Sequence, residues 1–508
     1  MFPQHVDAIV IGTGLTNSII AAACSRVGKI VLHLDENNYY GNHEASFTFQ
    51  QLIDWIKTQY PNSPSIRSIP QELLDKSRLF CLDLAPRFLF SNGELVDLLV
   101  KSNVARYHEF KNNIRILCLV GQNDIHVLPC RRNEVFTSPL LSNLADKRRL
   151  MKFIEACVKH QDNEEGSEIG EHGDQPIGQY LEERGMKSTL REYIINSIAM
   201  IHPTDTTREA CKRIKNFMVA TERYGRSPFL FPLYGCGEFP QSFCRMSAVF
   251  GGTYCLSTQI KEAKRQDEEP KAGDANVHSS CPPKFMVRFG EENYVVTSDM
   301  LVVDQSEVEK LNLAPPTSGE NECKISRAIL ITNKSIVDVA PDDGEQDGSG
   351  SRTKANDLIS FMRIPPTEVG SSNIVYLIEL NSSALVCPAG LNIVYMWTKS
   401  AISHQEGDGS SAEQDLRPTV ERLFSAADDS SQVVWKFFYQ QKFREAKPTT
   451  TVDENDNDNK CLFVTRPAFD DIDYGAIIRE AESLFKTMCP GEEFLPRAPD
   501  PDEIIHSD

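Results

Sequence analysis

The sequence contains no C-x-x-C pair, although fourteen cysteines are scattered through its 508 residues. That spacing argues against a structural zinc site and against a redox dithiol. Cys24, Cys118 and Cys157 sit instead in apolar runs, where cysteine acts as a small hydrophobe, and a reducing compartment is the simple expectation. No apolar run approaches the length of a membrane span. The first six residues are too polar and too few for a signal peptide, and the closing "IIHSD" holds no cysteine for prenylation. A cytosolic, unlipidated protein is expected. Positive charge is short, with 53 Lys and Arg against 72 Asp and Glu, a net charge of −19. Nucleic acid is therefore not expected as a partner, because phosphate binding requires the opposite sign. The eleven His residues are dispersed, no nucleophile stands near a base, and no internal repeat is visible. No catalytic residue and no metal ligand is assigned.

What is present begins with "GTGLTNSIIAAACSRVGKIVLHLDENNYYG", from Gly12 to Gly41. An apolar strand pattern at 7–11 leads into a glycine turn. An Ala- and Ile-rich helix at 15–26 follows, closed by Gly28, and a second strand at 29–34 ends at Asp35. This is a βαβ unit of Rossmann type. Gly12 and Gly14 suit a tight turn that lets a pyrophosphate approach the helix, and Asp35 stands where a ribose-binding acid would. Asn17 occupies the place of the third glycine. It is expected to push the helix away or to intrude on the phosphate site. The turn then reads as architectural, and no cofactor is expected. A late glycine–acid turn for the far end of a flavin is also degraded: Asp470 and Asp471 lack a glycine immediately before them.

Further along, "FTFQQLIDWIKTQY" has helical periodicity. Residues 104–221 read as a smaller all-helical domain inserted into a larger α/β domain made of 1–103 and 222–508. Strand patterns return after Pro228: "KFMVRFG", "NYVVTSDMLVVD", "KISRAILITN", "NIVYLIEL" and "VVWKFFYQQ". Five polar stretches, 162–174, 266–283, 340–357, 402–416 and 446–459, read as solvated loops.

The opening stretch and "FLFPLYGCGEFPQSFCRMSAVFGGTYCL" together resemble the Rab GDP-dissociation inhibitor and Rab escort protein superfamily. The resemblance runs from residue 6 to the end, apart from the acidic loops. It implies a fold like that of FAD-dependent oxidoreductases, mixed α/β, without a working flavin site. "SIIAAACSR", "EVFTSPLLSNLADKRRLMKFIE" and "CPGEEFLPRAPDPDEII" are similar to the escort branch. That branch implies binding of GDP-bound Rab GTPases and their presentation to the Rab geranylgeranyltransferase α/β heterodimer. It also implies shielding of the new geranylgeranyl chains, transient membrane contact for delivery, and no catalysis of its own. A GDP-dissociation inhibitor and an FAD-dependent oxidoreductase are the alternative readings.

Residue roles carry over from the resemblance. A Rab-binding platform falls on Tyr40, Glu238, Arg245, Thr253 and Cys255. Glu238 and Arg245 stand two helical turns apart and share one face, an arrangement that an ordinary solvated helix face also shows. Transferase docking falls on Phe136, which could equally staple its own helix, and on Arg148, with Lys147 and Arg149 as rivals. Leu190, Ile194, Ile195 and Ile198 could line a lipid slot or simply form core.

Overall fold

A computed structural model describes residues 2–497 other than 121–123, 131–133, 136–137, 139–142, 161–167, 222, 267–283, 314–320, 338–357, 401–409, 425–431, 446–460 and 467–471. The βαβ opening forms as expected. β1 (His5–Ile11) runs into α1 (Leu15–Arg26), and β2 (Val31–Leu34) pairs parallel to β1. Every residue of α1 from Leu15 to Ser25 is buried. The helix is enclosed between the sheet and the Glu238–Val249 and Gly475–Met488 helices, so its composition has no polar face.

The first sheet has seven strands. Its order is Thr253–Cys255, β2, β1, Tyr294–Asp304, Phe285–Phe289 and Ile260–Arg265, with Leu462–Thr465 also paired to Tyr294–Asp304. The strands around β1 are parallel, while the Phe285–Phe289 hairpin and its outer neighbour are antiparallel. One face packs on α1 and its two flanking helices, and the other carries a separate cluster built on Ile9, Leu32, Leu34 and Val303.

A second seven-stranded sheet has the order Val433–Glu445, Asn321–Thr332, Asn392–Lys399, Val375–Asn381, Ile359–Ile364, Ile114–Val120 and Asp124–Val127. Two of these strands correct the expected all-helical segment at 104–221. Ile114–Val120 pairs parallel with Ile359–Ile364, and Asp124–Val127 pairs back on it. The apolar run "IRILCLV" is a strand because both its faces are covered there, which hides the alternation that marks a half-exposed strand. The long helices of the segment are Leu144–Lys159 and Thr207–Ala220. The expected loop at 402–416 is also cut short, since Ser410–Phe424 is helical and covers the far face of the second sheet.

Helices and second sheet share one core. Leu150, Phe153, Tyr180, Ile214 and Phe217 join the same cluster as Ile359, Phe361 and Ile378. Leu190, Ile194, Ile195 and Ile198 are buried in it. Three of these lie in a π-helical turn, Tyr193–Ala199, which Arg363 of the sheet holds through Asn196 and the Ile201 carbonyl. Among the described residues no helix is long and apolar enough to cross a membrane.

Phe229 is the hub between these layers. It is fully buried, and its ring lies 5.4 Å from Phe88, 5.6 Å from Phe361 and 6.5 Å from Phe217. Phe229→Ala is expected to lower stability by about 3–5 kcal/mol, read from urea denaturation midpoints. A loss below about 1 kcal/mol would show that the layers do not depend on this contact.

Candidate functional site

The glycine turn is closed by the protein itself. Gly12 has φ +91°, and a Cβ there would stand 3.3 Å from the Asp304 Cβ, so the backbone alone dictates glycine. Of the two effects expected of Asn17, it does not push α1 away, and it does line the small cavity at the head of that helix. Its amide donates to the carbonyls of Ile11 at 2.8 Å and Gly12 at 3.1 Å, and its oxygen accepts the Thr465 hydroxyl. It therefore stitches α1 to two strand ends. Asp35 is buried and has no oxygen to spare for a ribose. One oxygen accepts the Thr13 N–H at 2.8 Å and the Thr13 hydroxyl at 2.6 Å, and the other accepts the Asn37 backbone and side-chain N–H groups. Burial pushes the Asp35 carboxyl above its ordinary range, and these hydrogen bonds oppose that rise.

The head of α1 is occupied as well. Glu44 accepts the Leu15 N–H at 2.8 Å, the position at which a helix of this kind would hold a phosphate. Burial raises the Glu44 carboxyl, with the Arg87 guanidinium and the Leu15 N–H acting against it. Asp304 adds a second carboxylate, 3.7 Å from where a Gly14 Cβ would be. The cavity left between Gly14, Asn17, Gly41, Glu44, Asp304 and Arg466 measures about 20 Å³, room for one water. A flavin dinucleotide does not fit these residues. Asp470 and Asp471 lie outside the described residues.

Next to this closed turn lies a surface built from three elements. The Glu238–Val249 helix packs on α1, the Thr253–Cys255 strand pairs parallel with β2, and the loop after β2 carries Tyr40. That loop is tied down by Gly41 N–H to Thr13, at 3.2 Å to the carbonyl and 3.1 Å to the hydroxyl, and by Ser257 N–H to the Asn37 carbonyl at 2.9 Å. Tyr40 is half-buried beside Cys244 and Tyr254, and burial raises its phenol. Glu238, at the first turn of its helix, is half-buried and raised by burial, and Arg245 is exposed. The structure thus brings Tyr40, Glu238 and Arg245 to one neighbourhood. Thr253 and Cys255 lie at the sheet edge on the face opposite Tyr254. Cys255 packs toward the Leu32 and Leu34 cluster, so burial raises its thiol.

Three supports of this surface were not apparent from the sequence. Tyr107 lies under the Arg245 guanidinium, 4.5 Å from ring centre to carbon, and orients it. Ser46 and Asp83 hold the start of the Glu238 helix. Asp83 accepts the Cys236 N–H at 2.8 Å and the Ser46 hydroxyl, whose oxygen accepts the Gly237 N–H at 2.7 Å. The alternate glycines of "YGCGE" are the signal that could have revealed them. A Cβ on Gly237 would fall 2.6 Å from the Ser46 nitrogen, and one on Gly235 2.7 Å from an Asp83 oxygen.

Phe136 lies outside the described residues. Arg148 is on the Leu144–Lys159 helix, exposed, with no ion pair among the described residues. Its neighbour Arg149, also exposed, bonds Asp146 at 3.0 Å.

Comparison with known proteins bears on this surface. The family described as "GDP dissociation inhibitor" matches residues 2–281, and "RAE1/2 domain I, C-terminal region" matches 325–466. Rab proteins geranylgeranyltransferase component A of Drosophila melanogaster is 31% identical over 99% of this chain and 92% of its own length. The Rab GDP-dissociation inhibitor of Saccharomyces cerevisiae is 29% identical over 76% of this chain and 77% of its own. Among solved structures, a Rab GDI from Plasmodium falciparum superposes with a TM-score of 0.70 at 19% identity, covering 97% of this chain and all of the other. An oxidoreductase from Methanosarcina mazei reaches 0.55 at 12% identity, covering 94% of this chain and all of the other. The fold is thus the mixed α/β one that FAD-dependent oxidoreductases share.

Two outcomes test the support of this surface. Gly237→Ala is expected to displace the start of the Glu238 helix and to cost about 1–3 kcal/mol in thermal or urea unfolding. Burial raises the Asp83 carboxyl from 3.8 to about 6. The folded chain therefore holds a proton that the unfolded chain has released. This contribution to stability is complete below pH 3.8 and lost as the pH rises through about 6. Unfolding midpoints across that window should fall with rising pH in the native chain and flatten in Asp83→Asn. Parallel curves would contradict the assignment.

Proposed function

We propose a function from one premise: the chain belongs to the GDP dissociation inhibitor family. Its role is that of a Rab escort protein, component A of Rab geranylgeranyltransferase. It binds newly made, GDP-bound Rab GTPases and presents them to the transferase heterodimer for prenylation of their C-terminal cysteines. It then delivers the product to a membrane from the cytosol. The observation that carries this reading is full-length likeness to component A, including the segment at 325–466 beyond the inhibitor match.

The surface next to α1 suits a GTPase. An exposed arginine, a half-buried acid and a tyrosine on a braced framework can form charge-assisted hydrogen bonds to a partner's loops. Tyr40, Glu238 and Arg245 form its centre, with Thr253 and Cys255 at its rim. Phe136 and Arg148 form the transferase contact. The chain needs no cofactor for this work, because the transferase supplies the chemistry.

The energetic problem is the lipid. Burying a methylene is worth about 0.8 kcal/mol, so one geranylgeranyl chain represents on the order of 10 kcal/mol. Exposed to water, such chains drive aggregation or enter any membrane. The helical layer is the natural acceptor, because helices part with small side-chain shifts. Leu190, Ile194, Ile195 and Ile198 are close-packed core in the closed state, and a chain entering there would displace them.

A pull-down separates the escort role from that of an inhibitor. Immobilised transferase should retain the native chain and lose Phe136→Ala, with Arg148→Ala weakened. Both variants should keep their affinity for GDP-bound Rab. Glu238→Ala with Arg245→Ala should reverse the pattern, losing about 10- to 100-fold in Rab affinity while still docking. Native protein that binds Rab and ignores the transferase would be an inhibitor.

A further inference from the structure

The head of α1 already holds an anion supplied by the chain. We infer that Glu44 is the built-in ligand of a phosphate-class anion site formed by the first N–H of α1 and the guanidinium of Arg87. One carboxylate serves both donors: one oxygen is 2.8 Å from the Leu15 nitrogen, and the other is 3.9 Å from Nη1 of Arg87. Arg87 is 2% exposed, and none of its three guanidinium nitrogens has a hydrogen-bond partner among the described residues. The Tyr474 ring covers it at 5.6 Å, and the Tyr474 hydroxyl makes no hydrogen bond to it among the described residues. A planar fork of donors matches an oxyanion with several oxygens, and a carboxylate at 3.9 Å neutralises that fork without satisfying it.

Glu44 reaches the site by local geometry. Gly41, at φ +98°, turns the chain into the short Asn42–Glu44 helical turn, and its N–H is anchored on Thr13. The second glycine turn thus folds an acid onto the first. With that acid in place, an external phosphate meets a filled site and a like charge. Asp304 opposes an external anion from the other side of Gly14. The inference concerns the turn alone and does not depend on any GTPase reading.

The test measures thermal unfolding of the full-length chain with and without inorganic phosphate. Glu44→Ala should melt below the native chain, and phosphate should raise its midpoint saturably. Asp304 caps the short Gln305–Lys310 helix, and adding Asp304→Asn, which can still cap it, should strengthen that response. The native chain and Glu44→Gln both keep the site filled. They should show only the small general effect of a kosmotropic salt. An equal response in all chains, or none in Glu44→Ala, overturns the inference. If Glu44→Ala does not fold alone, folding once phosphate is supplied supports it, and failure in both conditions overturns it.

Discussion

The carboxylate of Glu44 accepts the first free N–H of α1 while facing a buried guanidinium that has no hydrogen bond among the described residues. A negative charge at a partly buried helix N-terminus is worth up to about 2 kcal/mol. Removing one partner of a buried pair costs more than the pair contributes, because the other charge is left uncompensated. The contact also fixes the path of the chain between β2 and residue 46. Tyr40 lies on that path, so its position follows from the way the old anion cradle is closed.

The rest of the surface is built outward from the same helix. α1 is buried on all sides, and one of its sides is the Glu238–Val249 helix. Ser25 and Ser247 join the two through a 2.7 Å hydrogen bond between hydroxyls. Asp83 and Ser46 then hold the start of that helix, and Tyr107 holds the Arg245 head group. A binding surface whose side chains are already oriented loses less conformational entropy on association. Bracing of this sort suits a chain that recognises a folded partner. It differs from the open cavity that a dinucleotide enzyme sharing the fold would need.

The helical layer has the opposite character. Its apolar side chains run without a break into the second sheet, and a π-helical turn sits at the junction. π turns are rare, and they are frequent at functional sites. A lipid acceptor needs a closed core that can be opened at modest cost. The proposed shielding role rests on this layer, and the proposed GTPase surface rests on the first sheet. The two proposed tasks thereby fall on different cores.

The sequence by itself determined the βαβ opening, its glycine turn, the strongly patterned strands after Pro228 and the periodic helix within "FTFQQLIDWIKTQY". In each, the signal lies within a few residues: period, cap or turn. The resemblance then marked Tyr40, Glu238 and Arg245, which the fold brings together. What depended on distant partners was decided only in the tertiary structure. "IRILCLV" became a sheet strand because a strand from residue 359 onward came to lie beside it. Asn17 became a clasp because Thr465 meets it from the far end of the chain. Glu44 had no local mark at all, since the N–H it accepts lies 29 residues earlier and becomes a partner only when two turns are packed face to face. A side chain's type limits which hydrogen bonds it can make, but burial and packing select which of them it does make.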